Sequence, residues 1–226
     1  MNLMSDSELK IHHHPFFAGL EPAAMSGLQK DFQHRKYAGG ETLFVRGDRA
    51  DGVHWVVSGT VRLSILNQKG DELTFELARR GSVFGEIAAL DMQTRSASAV
   101  AISDAETVFL ATNRLKALIG ERPEIAMGVI RFLCDRVRKV SDHFESISLF
   151  TLEARLANFL LNEARLHNSD QFSLGITQSE LAMLLGATRQ RVNMAFRALE
   201  GGGAITRKGD ALHCQLEMLK SIAQTE

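Results

Sequence analysis

After Pro123, apolar residues recur at Ala126, Ile130, Leu133, Val137, Val140, Phe144 and Ile147, in steps of 4, 3, 4, 3, 4 and 3. No proline follows in the rest of the sequence, and Gly128 is the one glycine in the run to Ser148. A 3.5-residue period held for roughly three and a half heptads describes a helix with a single apolar seam, the pattern of a two-stranded coiled coil. Charged residues flank the seam at Arg131, Asp135, Arg136, Arg138, Lys139 and Asp142. So narrow a stripe suits a partner helix better than a broad core face. The expectation is a dimerisation helix over 123–150, with a long helix packed on its own domain as the competing arrangement.

The two flanks of this helix differ in texture. Upstream, Val53–Val57, Val61–Leu66 and Leu73–Leu77 read as short strands. Gly39-Gly40, Gly47-Asp48, Asp51-Gly52, Ser58-Gly59, Lys69-Gly70-Asp71 and Arg80-Gly81 separate them as turns. Strands of about five residues at spacings near ten predict an antiparallel barrel or sandwich. An amphipathic helical segment to about Gln33 precedes them, with Pro22 suited to a helix start. Downstream the pattern is helical. The predicted fold class is α+β: an N-terminal antiparallel β-roll over 1–122, the dimerisation helix, and a helical module over 151–226.

Composition excludes several classes. With 26 Lys+Arg against 27 Asp+Glu in 226 residues, the formal charge of −1 rules out a generally basic coat protein but not a local basic patch. Cys134 and Cys214 alone cannot make a disulfide framework, a zinc site or a cysteine-held iron–sulfur cluster. No apolar run approaches the length of a membrane span, and Met1–Lys10 lacks the form of a secretory signal. A cytoplasmic protein with no membrane partner is expected.

Chemistry concentrates in Phe84-Gly85-Glu86-Ile87-Ala88-Ala89-Leu90, followed by Arg95-Ser96-Ala97. A glycine admits close backbone approach, a following short helix points N–H groups at an anion, and arginine is a planar donor fork for phosphate. Glu86 cannot sit against phosphate and fits a sugar hydroxyl instead. These parts describe a pocket for a small phosphorylated ribose; a Glu86–Arg95 pair across a barrel rim is the alternative.

In the C-terminal module, Thr177 to Leu185, Gly186-Ala187 and Thr188 to Leu199 read as helix, turn and helix. Thr177 with Glu180 makes a capping box, and Thr188 can cap the second helix. That helix presents Arg189, Gln190, Asn193 and Arg197 on one exposed face, while Leu181, Leu184, Val192, Phe196 and Leu199 supply the core. Arginine reads guanine bidentately, and glutamine or asparagine reads adenine. From Arg189 to Lys208, five basic residues oppose Glu200 alone. Gly201-Gly202-Gly203 reads as a loop, and Ile205 to Cys214 as a hairpin turning at Lys208-Gly209-Asp210.

In this order (cassette, long helix, winged helix-turn-helix) the motifs resemble the cyclic-AMP receptor protein branch of bacterial transcription regulators. The likeness covers about residues 15 to 215. It implies that Gly85 and the backbone around Ile87 and Ala88 line the sugar–phosphate and that Glu86 holds the ribose 2′-hydroxyl. Arg95, helped by Ser96 and next to Ala97, would pair with the cyclic phosphate. The family's Thr-Ser pair beside the base corresponds to Val140-Ser141, where Ser141 keeps a hydroxyl and Val140 has none. Cyclic AMP is therefore the expected effector, with cyclic GMP open; a solvated flank role is the alternative for Ser141. The family's Arg-Glu-x-x-x-Arg on the second helix is here Arg189-Gln190 with Met194 in the last position. A palindromic operator that differs from the usual one, with guanine kept opposite Arg189, is expected. Gln178, Ser179 and Lys208 would touch phosphates, Arg207 more weakly, with Thr188 at the same DNA-facing helix start. The resemblance also implies a homodimer and RNA polymerase contact, no enzymatic activity, and no metal, haem or iron–sulfur cluster. A regulator of the same superfamily that ignores nucleotide is the other functional alternative. His12-His13-His14 are taken as exposed polar residues, and both cysteines as small apolar fillers.

Overall fold

A computed structural model describes residues 14–18, 20–66 and 72–224. It divides within the long helix into two compact units, residues 1–137 and 138–226. The predicted Lys69-Gly70-Asp71 turn, His12 and His13 lie outside the described residues.

In the first unit a 3-10 turn, Pro15–Phe17, precedes helix α1 (Pro22–Leu28), which starts at Pro22 as expected. The helical segment ends before Gln33, because Phe32 already pairs with Leu110 at the start of β1 (Phe32–Tyr37). Then follow β2 (Thr42–Phe44), β3 (Gly52–Ser58), β4 (Val61–Leu66), β5 (Glu72–Ala78) and β6 (Val83–Phe84). Helix α2 (Glu86–Asp91), β7 (Ser98–Ala101), β8 (Ala105–Ala111) and α3 (Thr112–Glu121) lead into the long helix α4 (Pro123–Leu149). The strands form two antiparallel sheets, ordered β1-β8-β3-β6 and β2-β7-β4-β5. All three strands read from the sequence are present.

The start of α4 packs on its own domain. Ile125 and Val129 are buried with Trp55, Val108, Leu115 and Leu118, and Phe132 packs on the same cluster. This stripe runs in steps of four and three, one residue out of phase with the seam. Of the seam, Leu133 also packs here, whereas Ile130, Val137, Val140, Phe144 and Ile147 are exposed. The competing arrangement thus describes the first turns, which serve the domain core, and the seam beyond Leu133 is exposed.

Gly128 shows how close that packing is. A Cβ there would strike the carbonyl oxygens of Pro15 and Phe16, 2.6 Å away in the case of Phe16. An unobstructed helix glycine gains ~0.5–1 kcal/mol on replacement by alanine, and Gly120 on α3, with open space around it, is such a site. Gly120→Ala is therefore expected to raise the thermal midpoint. Gly128→Ala should lower it, by ~1–3 kcal/mol of overpacking. Equal upward shifts in calorimetry would contradict the contact.

His14 corrects the sequence expectation. It packs against Phe16, Phe132 and Trp55, with ring centroids 5.2, 5.4 and 6.0 Å away, and accepts a hydrogen bond from the Phe16 N–H. Burial pushes its pKa down to about 4. Cys134 is exposed on α4, so only Cys214 is an apolar filler.

The second unit holds the rest of α4, then α5 (Leu152–His167), β9 (Gln171–Phe172), α6 (Gln178–Leu184) and α7 (Arg189–Gly201). The hairpin β10 (Ile205–Lys208) and β11 (Ala211–Cys214) and helix α8 (Leu216–Ala223) complete it. Its core joins Leu156, Leu160, Leu181, Val192, Phe196, Leu199, Ile205 and Leu219. Leu185, not the half-buried Leu184, fills the core at the end of α6. Gly201 closes α7 rather than opening the loop. Strand β9, paired with β11, and helix α8 had no counterpart in the sequence reading.

Candidate functional site

Strand β6 pairs with β3, His54 opposite Phe84, and delivers the chain to Gly85, the N-cap of α2. Gly85 has φ +80°, and a Cβ on it would strike the Arg95 guanidinium. Both its conformation and its clearance therefore require glycine.

Arg95 is built into the wall of the roll. Its backbone N–H donates to Asp48 and its carbonyl accepts from Gly47, at 2.8 and 2.9 Å. The side chain, over the Phe44 ring, donates through Nη1 to the Gly85 carbonyl at 2.8 Å. Through Nη2 it donates to the Gly52 carbonyl at 2.8 Å and to Asp51 Oδ1 at 2.6 Å. Arg95 is 2% exposed, and its Nε is buried with no hydrogen-bond partner. Arg35, stacked on Phe109, donates to the other Asp51 oxygen at 3.2 Å. Partial burial pushes the Asp51 carboxyl up, but the bonds from Arg35 and Arg95 outweigh it and hold it below the usual carboxylate range. Nearby, His54 stacks on Phe84; burial, then the Arg95 charge, push its pKa down to about 3.

Glu86 opens α2 and is 1% exposed. Its Oε1 accepts from Arg136 Nε at 3.0 Å, and Arg136 also pairs through Nη1 with Glu76 on β5. Burial pushes the Glu86 carboxyl above its ordinary range, against the pull of Arg136. The weighed Glu86–Arg95 pair is not found: Arg95 holds Asp51, and Glu86 holds Arg136. The site thus joins a buried carboxylate, a group type suited to sugar hydroxyls, a buried guanidinium, a group type suited to a phosphate anion, and a glycine whose Cβ position that guanidinium fills.

The other predicted ligand contacts differ in exposure. Ala88 and Ala97 are buried, and Ile87 and Ser96 are exposed. Val140 and Ser141 are exposed on α4, in the second unit. Sequence reasoning missed Asp51, Arg35, Glu76 and Arg136. For Arg136 a signal existed, since it continues the domain-facing steps of Ile125, Val129 and Phe132.

The second unit presents the DNA-reading candidates. The Thr177 hydroxyl accepts from Glu180 N–H at 3.2 Å, and Glu180 Oε2 accepts from Thr177 N–H at 2.8 Å, which closes the capping box. The Thr188 hydroxyl accepts from Arg191 N–H at 3.3 Å and fixes the start of α7. Arg155 on α5 donates to the Leu185 carbonyl and holds the turn between the two helices. Arg189, Gln190 and Arg197 are exposed and Asn193 is half-buried, so the face is narrower than expected. Ser179 and Lys208 are exposed and Gln178 is half-buried. Arg207 lies over Phe196 at 4.9 Å with Glu200 Oε2 3.9 Å away, which ties it to α7.

Among the described residues, no group of three or more His, Cys, Asp or Glu could hold a metal ion. None of their helices is long and apolar enough to cross a membrane.

Residues 34–122 match the cyclic nucleotide-binding domain, and residues 154–222 match the Crp-like helix-turn-helix domain. The cyclic AMP receptor protein of Thermus thermophilus is 34% identical over 191 residues, 84% of this chain and 88% of that protein. A CRP-like cAMP-activated global transcriptional regulator of Mycobacterium tuberculosis is 28% identical over 201 residues, 87% of this chain and 90% of its own length. In fold, the chain is similar to the solved structure of FixK2 from Bradyrhizobium japonicum, with TM-score 0.77 over 86% of this chain and 98% of that one at 22% identity.

Proposed function

Because this chain belongs to the cyclic-AMP receptor protein and fumarate-nitrate regulator superfamily of transcription regulators, we propose that it is a homodimer whose operator binding is controlled by a cyclic nucleotide. Cyclic AMP is the foremost effector and cyclic GMP the other candidate, since Val140 offers the base no hydroxyl. We divide the chain into a sensor over 1–122, a dimerisation helix over 123–150 and a DNA-binding domain over 151–226. The carrying observation is the pair of buried charges Glu86, which follows Gly85 in the chain, and Arg95, which donates to the Gly85 carbonyl. Glu86 would hold the ribose hydroxyl, Arg95 with Ser96 and Ala97 the phosphate, and the backbone at Gly85, Ile87 and Ala88 the sugar–phosphate edge. Val140 and Ser141 would lie beside the base through the paired helices.

In this proposal the ligand competes with protein groups. Its phosphate competes with Asp51 for Arg95, and its hydroxyl competes with Arg136 for Glu86. Since Arg136 belongs to the long helix, that exchange supplies the differential contact an allosteric ligand needs. One arrangement of the helices then sets the two recognition helices ~34 Å apart, in successive major grooves. Arg189, Gln190, Asn193 and Arg197 would read bases, and Gln178, Ser179, Thr188 and Lys208 would meet phosphates. RNA polymerase is the further partner proposed, in the cytoplasm.

One observation favours a nucleotide-independent regulator: Asp51 and Arg136 pair with Arg95 and Glu86 within the protein itself. Operator affinity measured with and without cyclic nucleotide decides between the two.

A further inference from the structure

Helix α7 turns Val192, Ala195, Phe196 and Leu199 into the core of its unit. At about 100° per residue, the direction opposite that stripe is occupied by Gln190, Arg197 and Met194, which lie within about 60° of one another. Arg189 and Asn193 sit to one side of it. Met194 is 62% exposed, four residues after Gln190 and three before Arg197. It is an apolar side chain on the outward face, outside the core cluster and flanked by polar and basic groups.

The charge around it selects the kind of partner. Arg189, Arg191 and Arg197 on α7 and Lys208 on the adjoining hairpin are all exposed, as a polyanion-binding surface requires. In the major groove, thymine is the base that offers an apolar group, its 5-methyl. Methionine is unbranched, flexible and polarizable, and fills irregular apolar contacts. We propose that Met194 is a specificity-determining residue that contacts a thymine methyl in each operator half-site. The proposal rests on the reading of α7 as the DNA-reading helix.

The test begins with selection of operators from a random duplex pool by the full-length protein, with and without cyclic AMP. Each thymine of the selected half-site is then replaced by uracil, which removes only the methyl. One such replacement per half-site is expected to weaken binding about fourfold, the factor that corresponds to ~0.8 kcal/mol for one buried methyl. Met194→Ala should bind the thymine operator more weakly and become indifferent to that uracil, whereas Met194→Leu should keep the preference. Wild-type binding that no uracil affects, or a Met194→Ala protein that retains the full thymine preference, would overturn the proposal. A pool from which nothing is enriched would remove the DNA-reading premise itself and the proposal with it, so the two failures are told apart.

Discussion

Arg95→Ala is expected to weaken cyclic-nucleotide binding by about two to three orders of magnitude. The guanidinium is buried beside Gly85, held by the Gly85 and Gly52 carbonyls and Asp51. Truncating one partner of a buried, hydrogen-bonded charge pair costs roughly 2–5 kcal/mol, much of it from the charge left unpaired. In the variant the ligand phosphate would meet the Asp51 carboxylate with no cation between them. Arg95→Lys restores the charge but not the fork, because an ammonium is a compact point charge. An intermediate affinity is expected for it. Calorimetric titration with cyclic AMP and cyclic GMP measures both variants, and circular dichroism checks that they fold. Unchanged affinity in a folded Arg95→Ala protein would remove Arg95 from the site.

Phe144→Asp should turn the proposed dimer into a monomer and abolish operator binding at concentrations where the wild type is saturated. Phe144 is 73% exposed on a single chain, so the change costs that chain's core nothing. In a paired seam it would bury a carboxylate beside its own copy, between Val140 and Ile147 above and below. Unpaired buried charge is strongly unfavourable, and two like charges add repulsion. Losing the dimer also loses the effective concentration that lets the second recognition helix bind after the first. Sedimentation velocity reads the assembly and fluorescence anisotropy reads the operator. A variant that still sediments as a dimer would place the interface elsewhere and leave the exposed seam without its assigned role.

Features that depend on local chemistry were legible in the sequence. The caps at Thr177 and Thr188, the turn before α7 and the helical run from Pro123 follow from side chains a few residues apart, and the fold keeps them. Pocket features that depend on distant strands were not. Asp51 reads as half of a turn, yet it faces Arg95 from 44 residues away. Arg136 reads as a charged flank because its partners Glu76 and Glu86 lie 60 and 50 residues back. His14 sits in an apolar setting only because Trp55 and Phe132 converge on it. The second apolar stripe of the helix was not legible for a related reason: Ile125, Val129 and Phe132 face the domain core one residue out of phase with the seam and merge with it at Leu133. Leu184 and Leu185 exchange places because α6 ends at Leu184, and the next residue turns into the core.

The central claim is that nucleotide and operator bind to one coupled equilibrium. Operator affinity should therefore be measured across a titration of cyclic AMP, and nucleotide affinity measured with and without operator on the same protein. Linkage requires the two factors to be equal. Coupling of 1–3 kcal/mol, roughly 5- to 150-fold, is the ordinary range for such systems. The account expects equal factors within that range, lost in Arg95→Ala. Operator binding that stays constant while the nucleotide site fills would contradict it.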